Sequence, residues 1–222
     1  MRGLFRLLGC AVILAAATAV LSAGTIVIGA PTLGGNYFPF GAPAGGAGTR
    51  YQQAYAAADF SGLGVISIYG IDFYNGAGAI RSATYDFYLS TITAGIDTLS
   101  DTNFDANLGG NNALFASLTL SGAAPSTLTI TGTPFTFDPG AGNLLLDIRI
   151  SNASGTDLAS FAARQDANGI FSRYHNFGSM TIGYGLVTGF DYTGGATVPE
   201  PASGLLVGLG ALALAAVLRR RR

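Results

Sequence analysis

Over residues 143–152 the chain alternates with a period of two, placing Leu144, Leu146, Ile148 and Ile150 on one face and Asp147, Arg149 and Ser151 on the other. Successive side chains of a strand point to opposite faces, so this pattern predicts a half-buried antiparallel β-strand with Asp147 and Arg149 toward solvent. Shorter runs of the same kind predict strands at 26–28, 65–74, 83–90, 114–120, 127–131, 135–137, 161–164, 170–174 and 186–192. In the second of these, Ile66 and Ile68 fall out of phase with Ile71 and Phe73 across Gly70. A β-bulge at Gly70 brings all four to one face.

Turn-forming clusters separate the runs: Gly34-Gly35-Asn36, Asn75-Gly76, Gly109-Gly110-Asn111-Asn112, Asp138-Pro139-Gly140 and Asn152-Ala153-Ser154-Gly155. Many short strands at close spacing, with no soluble helix between them, predict an all-β fold: an antiparallel β-sandwich of jelly-roll type.

The two ends break this pattern. Arg2 and Arg6 precede an apolar run at 7–21 that closes on Ser22, Ala23 and Gly24, the layout of a secretory signal peptide. Cleavage is expected after Ala23, with Ala19 as a second acceptable position because Ala17 stands two residues before it. Leu7-Leu8-Gly9-Cys10 resembles a lipobox, but most of the apolar run follows it rather than preceding it. Without Cys10, the chain's single cysteine, the exported form has neither a disulfide nor a thiolate nucleophile.

At the other end, residues 202–218 are uncharged and apolar and are followed at once by Arg219, Arg220, Arg221 and Arg222. As a helix the segment would be about 25 Å long, slightly short of a ~30 Å hydrocarbon core. Basic residues beside a span stay on the cytoplasmic side, so the arginines place the preceding region outside the inner membrane. The division expected is 1–23 signal peptide, 24–194 extracytoplasmic domain and 195–222 C-terminal signal, with a transmembrane helix at 202–218.

Immediately before that span stand Pro199, Glu200 and Pro201. Tripeptide, apolar segment and arginine end together resemble the C-terminal signal of PEP-CTERM exported bacterial proteins. The resemblance implies recognition by an exosortase, an integral-membrane transpeptidase-like enzyme, after export by the secretion machinery. It implies transient anchoring in the inner membrane, then a cell-surface or extracellular-matrix destination in Gram-negative bacteria that make extracellular polysaccharide. It covers only the last residues of the chain and assigns no activity to the domain before them.

Charge narrows the partners further. Between 24 and 198 five arginines stand against eleven aspartates, so this region is acidic although the whole chain carries only −1. A nucleic-acid partner, which requires a basic face, is not expected.

Catalytic chemistry has little to draw on. Glu200, within the tripeptide, is the only glutamate, and His175 is the only histidine, with no Gly-x-Ser-x-Gly elbow to accompany it. No cofactor and no enzymatic activity are expected, and His175 reads as a surface or turn residue.

Two binding features compete with plainer readings. Asp97, Asp101, Asn103 and Asp105 place oxygen ligands as a calcium loop would, yet Ala106 and Asn112 stand where an EF-hand requires glycine and glutamate. The plainer reading is a solvated turn between two strands. Tyr37, Phe38, Phe40, Tyr51 and Tyr55 form either a stacking platform for sugars or part of the core. The function expected is thus a non-enzymatic surface protein associated with extracellular polysaccharide or biofilm matrix. A lectin-like carbohydrate-binding module on the same anchor is the alternative, and a secreted hydrolase the third.

Overall fold

The computed structural model describes residues 23–29, 35–41, 49–165, 169–175 and 180–194. Of the predicted signal peptide only Ala23, the first residue of a strand, lies among them; residues 1–22, the 202–218 span and the sorting residues lie outside. Among the described residues no helix is long and apolar enough to cross a membrane.

The described chain is antiparallel β throughout. Its strands are β1 (Ala23–Ile28), β2 (Gly35–Asn36), β3 (Arg50–Tyr55), β4 (Ile66–Tyr74), β5 (Ala79–Ile92), β6 (Ala113–Ala123), β7 (Thr127–Phe137), β8 (Asn143–Ser154), β9 (Phe161–Arg164), β10 (Phe171–His175), β11 (Thr181–Ile182), β12 (Gly185–Leu186) and β13 (Thr188–Gly194). Helical geometry is confined to three 3₁₀ turns, Ala57–Phe60, Ile96–Thr98 and Phe104–Asn107.

One sheet has the order β1-β13-β4-β7, a second β11-β10-β3-β8-β5-β6, and a short third β12-β9-β2. The first two face a common core. Ile66, Ile68, Ile71, Phe73, Ile130, Phe137 and Phe190 come from the four-stranded sheet; Tyr51, Tyr55, Tyr85, Phe87, Leu144, Leu146 and Ile148 come from the six-stranded one. Phe40 lies at the centre of this core, with its ring centroid 4.9 Å from Phe73, 5.0 Å from Phe161 and 5.5 Å from Tyr85. The contacts with Phe73 and Phe161 are edge-to-face, an arrangement that adds to what aromatic burial contributes.

The bulge expected at Gly70 is present. The β4–β7 register shifts between Ile68 and Gly70, and Ile66, Ile68, Ile71 and Phe73 all point into the core. Glycine is required there because a Cβ would lie 2.6 Å from Asp191 Oδ2. On the partner strand Gly132, Thr133 and Pro134 occupy the same irregularity. The predicted strands 127–131 and 135–137 are therefore one strand, β7, whose proline sits where a backbone N–H is not needed. The predicted run 186–192 is instead divided between β12 and β13, which belong to different sheets.

Strand β8 corrects the expectation of a solvated face. Leu144, Leu146, Ile148 and Ile150 enter the main core, but Leu145 and Asp147 on the opposite face are buried too. The connection between β5 and β6 folds over that face. Ile96 and Leu99 from this connection join Ala54, Ala56, Ile92, Leu145 and Tyr174 in a second apolar cluster, with Phe104 and Leu108 packed against it.

Candidate functional site

Beneath the β5–β6 connection the polar side chains are closely matched. Asp147 is 1% exposed and accepts from both Arg50 Nε and Arg50 Nη2 at 2.8 Å, a two-pronged pairing, and from Arg149 Nε at 3.0 Å. Arg50 Nη1 reaches Asp105 at 2.7 Å. Burial works against the Arg50 charge, but the hydrogen bonds to Asp147 and Asp105 outweigh it and hold its pKa above the ordinary value. The arginines also lie over aromatic rings, Arg50 over Phe104 at 5.0 Å and Arg149 over Tyr88 at 4.1 Å.

The candidate calcium residues sit on this connection but do not converge. Asp105 is engaged by Arg50, which lowers its pKa through the hydrogen bond and the charge. Asn103 uses its side-chain oxygen to cap the Asp105 N–H at 2.9 Å, Asp97 accepts from Ser172 Oγ at 2.5 Å, and Asp101 is exposed. Among the described residues no three His, Cys, Asp or Glu side chains gather as a metal-ligand set. Asn107, which carried no signal in the sequence, has the closer structural role: it bonds Gln52 Oε1 at 2.8 Å and the Ser100 carbonyl at 3.1 Å.

The aromatic group is mostly core. Phe38, Phe40, Tyr51 and Tyr55 are buried, and only Tyr37 is exposed. No stacking platform is formed by them.

A second polar string runs inside the sandwich edge, along β3 and β10. Tyr51 Oη donates to Gln53 Oε1 at 2.5 Å. The Gln53 amide accepts from Leu186 N–H at 2.8 Å and donates to Leu186 O at 2.9 Å, so one side chain pairs with the β12 backbone as a strand would. Gly185 permits the approach, since a Cβ there would lie 2.7 Å from the Gln53 amide. Burial raises the Tyr51 pKa.

The Tyr51 hydroxyl also meets Arg173, whose guanidinium carbon lies 3.8 Å over the Tyr184 ring. Gln165, Arg173, Thr181, Ile182, Gly183 and Tyr184 line an open cleft of about 390 Å³ at this point. This cleft is not visible in the sequence, because its residues come from two short strands, β10 and β11, and from turn residues beside β9 and β11.

His175 ends β10 opposite Tyr51, half-buried and edge-on to Phe38 at 5.9 Å, so it is a strand residue rather than a turn residue. Burial, with a smaller effect of the Arg173 charge, lowers its pKa to about 4. The unfolded chain takes up this proton near pH 6.5, so the contribution of neutral His175 is complete above that pH and is lost as pH falls toward 4. Melting temperature is therefore expected to fall between pH 7 and 5, and less steeply in His175→Gln. With only one histidine in the chain, an equal slope in both proteins would contradict this assignment.

The C-terminal residues complete the picture. Residues 197–222 match the PEP-CTERM protein-sorting motif. The chain carries a PEP-CTERM sorting signal. The motif implies export, processing by an exosortase and sorting to the cell surface. The match contains Pro199, Glu200, Pro201 and the four terminal arginines, all outside the described residues. No curated protein and no solved structure matches the chain.

Proposed function

We infer that this is a non-catalytic surface protein whose β-domain is exported, held briefly at the inner membrane by residues 202–218, released by an exosortase and retained in a polysaccharide-rich extracellular matrix. The observation that carries the reading is the sorting motif at residues 197–222. The non-catalytic reading is supported by the absence of any glutamate before Glu200. The commitment of Asp147, Asp105 and Asp97 to arginine or serine partners supports it too.

The domain reads as a jelly roll, which suits a compact exported module without disulfides. Taking β1, β3, β4, β5, β6, β7, β8 and β13 in chain order, the first pairs with the last, the second with the seventh, the third with the sixth and the fourth with the fifth. A long antiparallel ribbon rolled over itself produces this pairing. The fold hosts many functions, so the destination is argued from the sorting signal and not from the strands.

Fractionation of an exosortase-positive bacterium tests the proposal. The protein is expected with the polysaccharide matrix, and in the medium once polysaccharide synthesis is deleted. Recovery in the medium whether or not the polysaccharide is made would refute matrix association.

A further inference from the structure

The geometry points to the cleft around Arg173 as a binding site for the carboxylate of an acidic sugar, a uronate residue within an extracellular polysaccharide. This rests on the matrix reading above and gives it a contact point. Arg50 and Arg149 both spend their charge on Asp147, whereas of the described arginines Arg173 is the one that lines the cleft. Arg173 forms no ion pair among the described residues, and its Nε is buried without a hydrogen-bond partner. With its guanidinium on an open cleft and no described carboxylate paired to it, Arg173 leaves a positive charge that a ligand carboxylate can meet.

The guanidinium is already positioned. In the sheet, Arg173 stands between Gln53 of β3 and Thr181 of β11, and its side chain is held by the Tyr51 hydroxyl and the Tyr184 ring. A fixed planar fork is the arrangement that recognises a carboxylate through two parallel hydrogen bonds, and fixing it beforehand lowers the ordering cost of binding.

The rest of the cleft suits a sugar. Gln165 and Thr181 offer neutral donors and acceptors to hydroxyl groups, and the exposed Ile182 offers an apolar edge to a ring face. About 390 Å³ falls within the size range of small-ligand sites. A single arginine among neutral groups matches one negative charge.

The experiment measures binding of trigalacturonate to the full chain in detergent by calorimetry, with maltotriose as the neutral control and inorganic phosphate as competitor. Wild type is expected to bind trigalacturonate, not maltotriose, and to weaken with salt. Arg173→Ala is expected to lose roughly tenfold or more, the effect of a charge-assisted pair. Gln165→Ala and Thr181→Val keep the charge and are expected to lose several-fold with an unchanged melting temperature.

No preference over maltotriose, or displacement by equimolar phosphate, would overturn the assignment. So would unchanged affinity in a folded Arg173→Ala. Should that variant fail to fold, unchanged affinity in both Gln165→Ala and Thr181→Val would do the same. The two proposals fail separately: a matrix-retained Arg173→Ala protein with normal trigalacturonate affinity removes the cleft alone, whereas a wild type absent from the matrix removes the matrix reading whatever the cleft binds.

Discussion

Replacing Pro199, Glu200 and Pro201 together by alanine is expected to abolish surface delivery and leave the chain in the inner membrane with its arginine end intact. Insertion depends on apolar length and flanking charge, and neither residues 202–218 nor Arg219, Arg220, Arg221 and Arg222 change in this variant. Recognition depends on something else. Proline restricts φ at its own position and the conformations open to the residue before it, so the Pro-Glu-Pro sequence supplies backbone stiffness and one carboxylate for an enzyme to read. Three alanines remove both the stiffness and the charge. Immunoblots of membrane, surface and medium fractions measure the outcome. Equal surface delivery of both proteins would show that the tripeptide is only a spacer.

The second large effect is expected at Asp147, where substitution by alanine should destabilise the folded domain by about 3 to 5 kcal/mol, as when one partner of a buried ion pair is removed. The variant strands Arg50, whose side chain is 17% exposed and whose remaining carboxylate partner, Asp105, is 72% exposed. It also takes the acceptor from Arg149. Typical domain stabilities of roughly 5 to 15 kcal/mol make such a loss severe. Replacing Arg50 and Asp147 together by leucine should recover most of it, because the matched apolar pair removes the two most buried charges and the partners they leave, Arg149 and Asp105, are 37% and 72% exposed. Urea unfolding of the single and double variants measures this. A cost below about 1 kcal/mol for Asp147→Ala would mean that the pair contributes little.

Asp147 also marks how far the sequence could be read. Its strand was legible because Leu144, Leu146, Ile148 and Ile150 share one face of a period-two pattern. Its burial was not, because the cover comes from the β5–β6 connection, far away in sequence and rich in turn residues. Strand β3 was missed for a related reason. Gln52 and Gln53 point to opposite faces, so no polar face is visible in the sequence, yet both are buried and hydrogen-bonded, Gln52 to the Phe104 carbonyl and Asn107, and Gln53 to Leu186. Satisfied polar groups of this kind look like surface residues until their partners are known.

The bulge at Gly70 was legible because two apolar phases met at a glycine. The binding cleft was not, because pairing across β3, β10 and β11 is needed to bring Tyr51, Arg173 and Thr181 together. The sorting signal, by contrast, is contiguous and lies in the last 26 residues, 197–222. A linear motif read by an enzyme requires no tertiary structure to be seen.

The most direct test of exosortase-dependent sorting is the intact mass of the exported protein from otherwise identical hosts with and without an exosortase. The enzyme-positive host should yield a chain that has lost Arg222 and the apolar segment before it, and the enzyme-negative host a membrane-retained chain that still ends in Arg222. Retention of Arg222 in both hosts would contradict the account and leave a single-pass membrane protein that no exosortase processes.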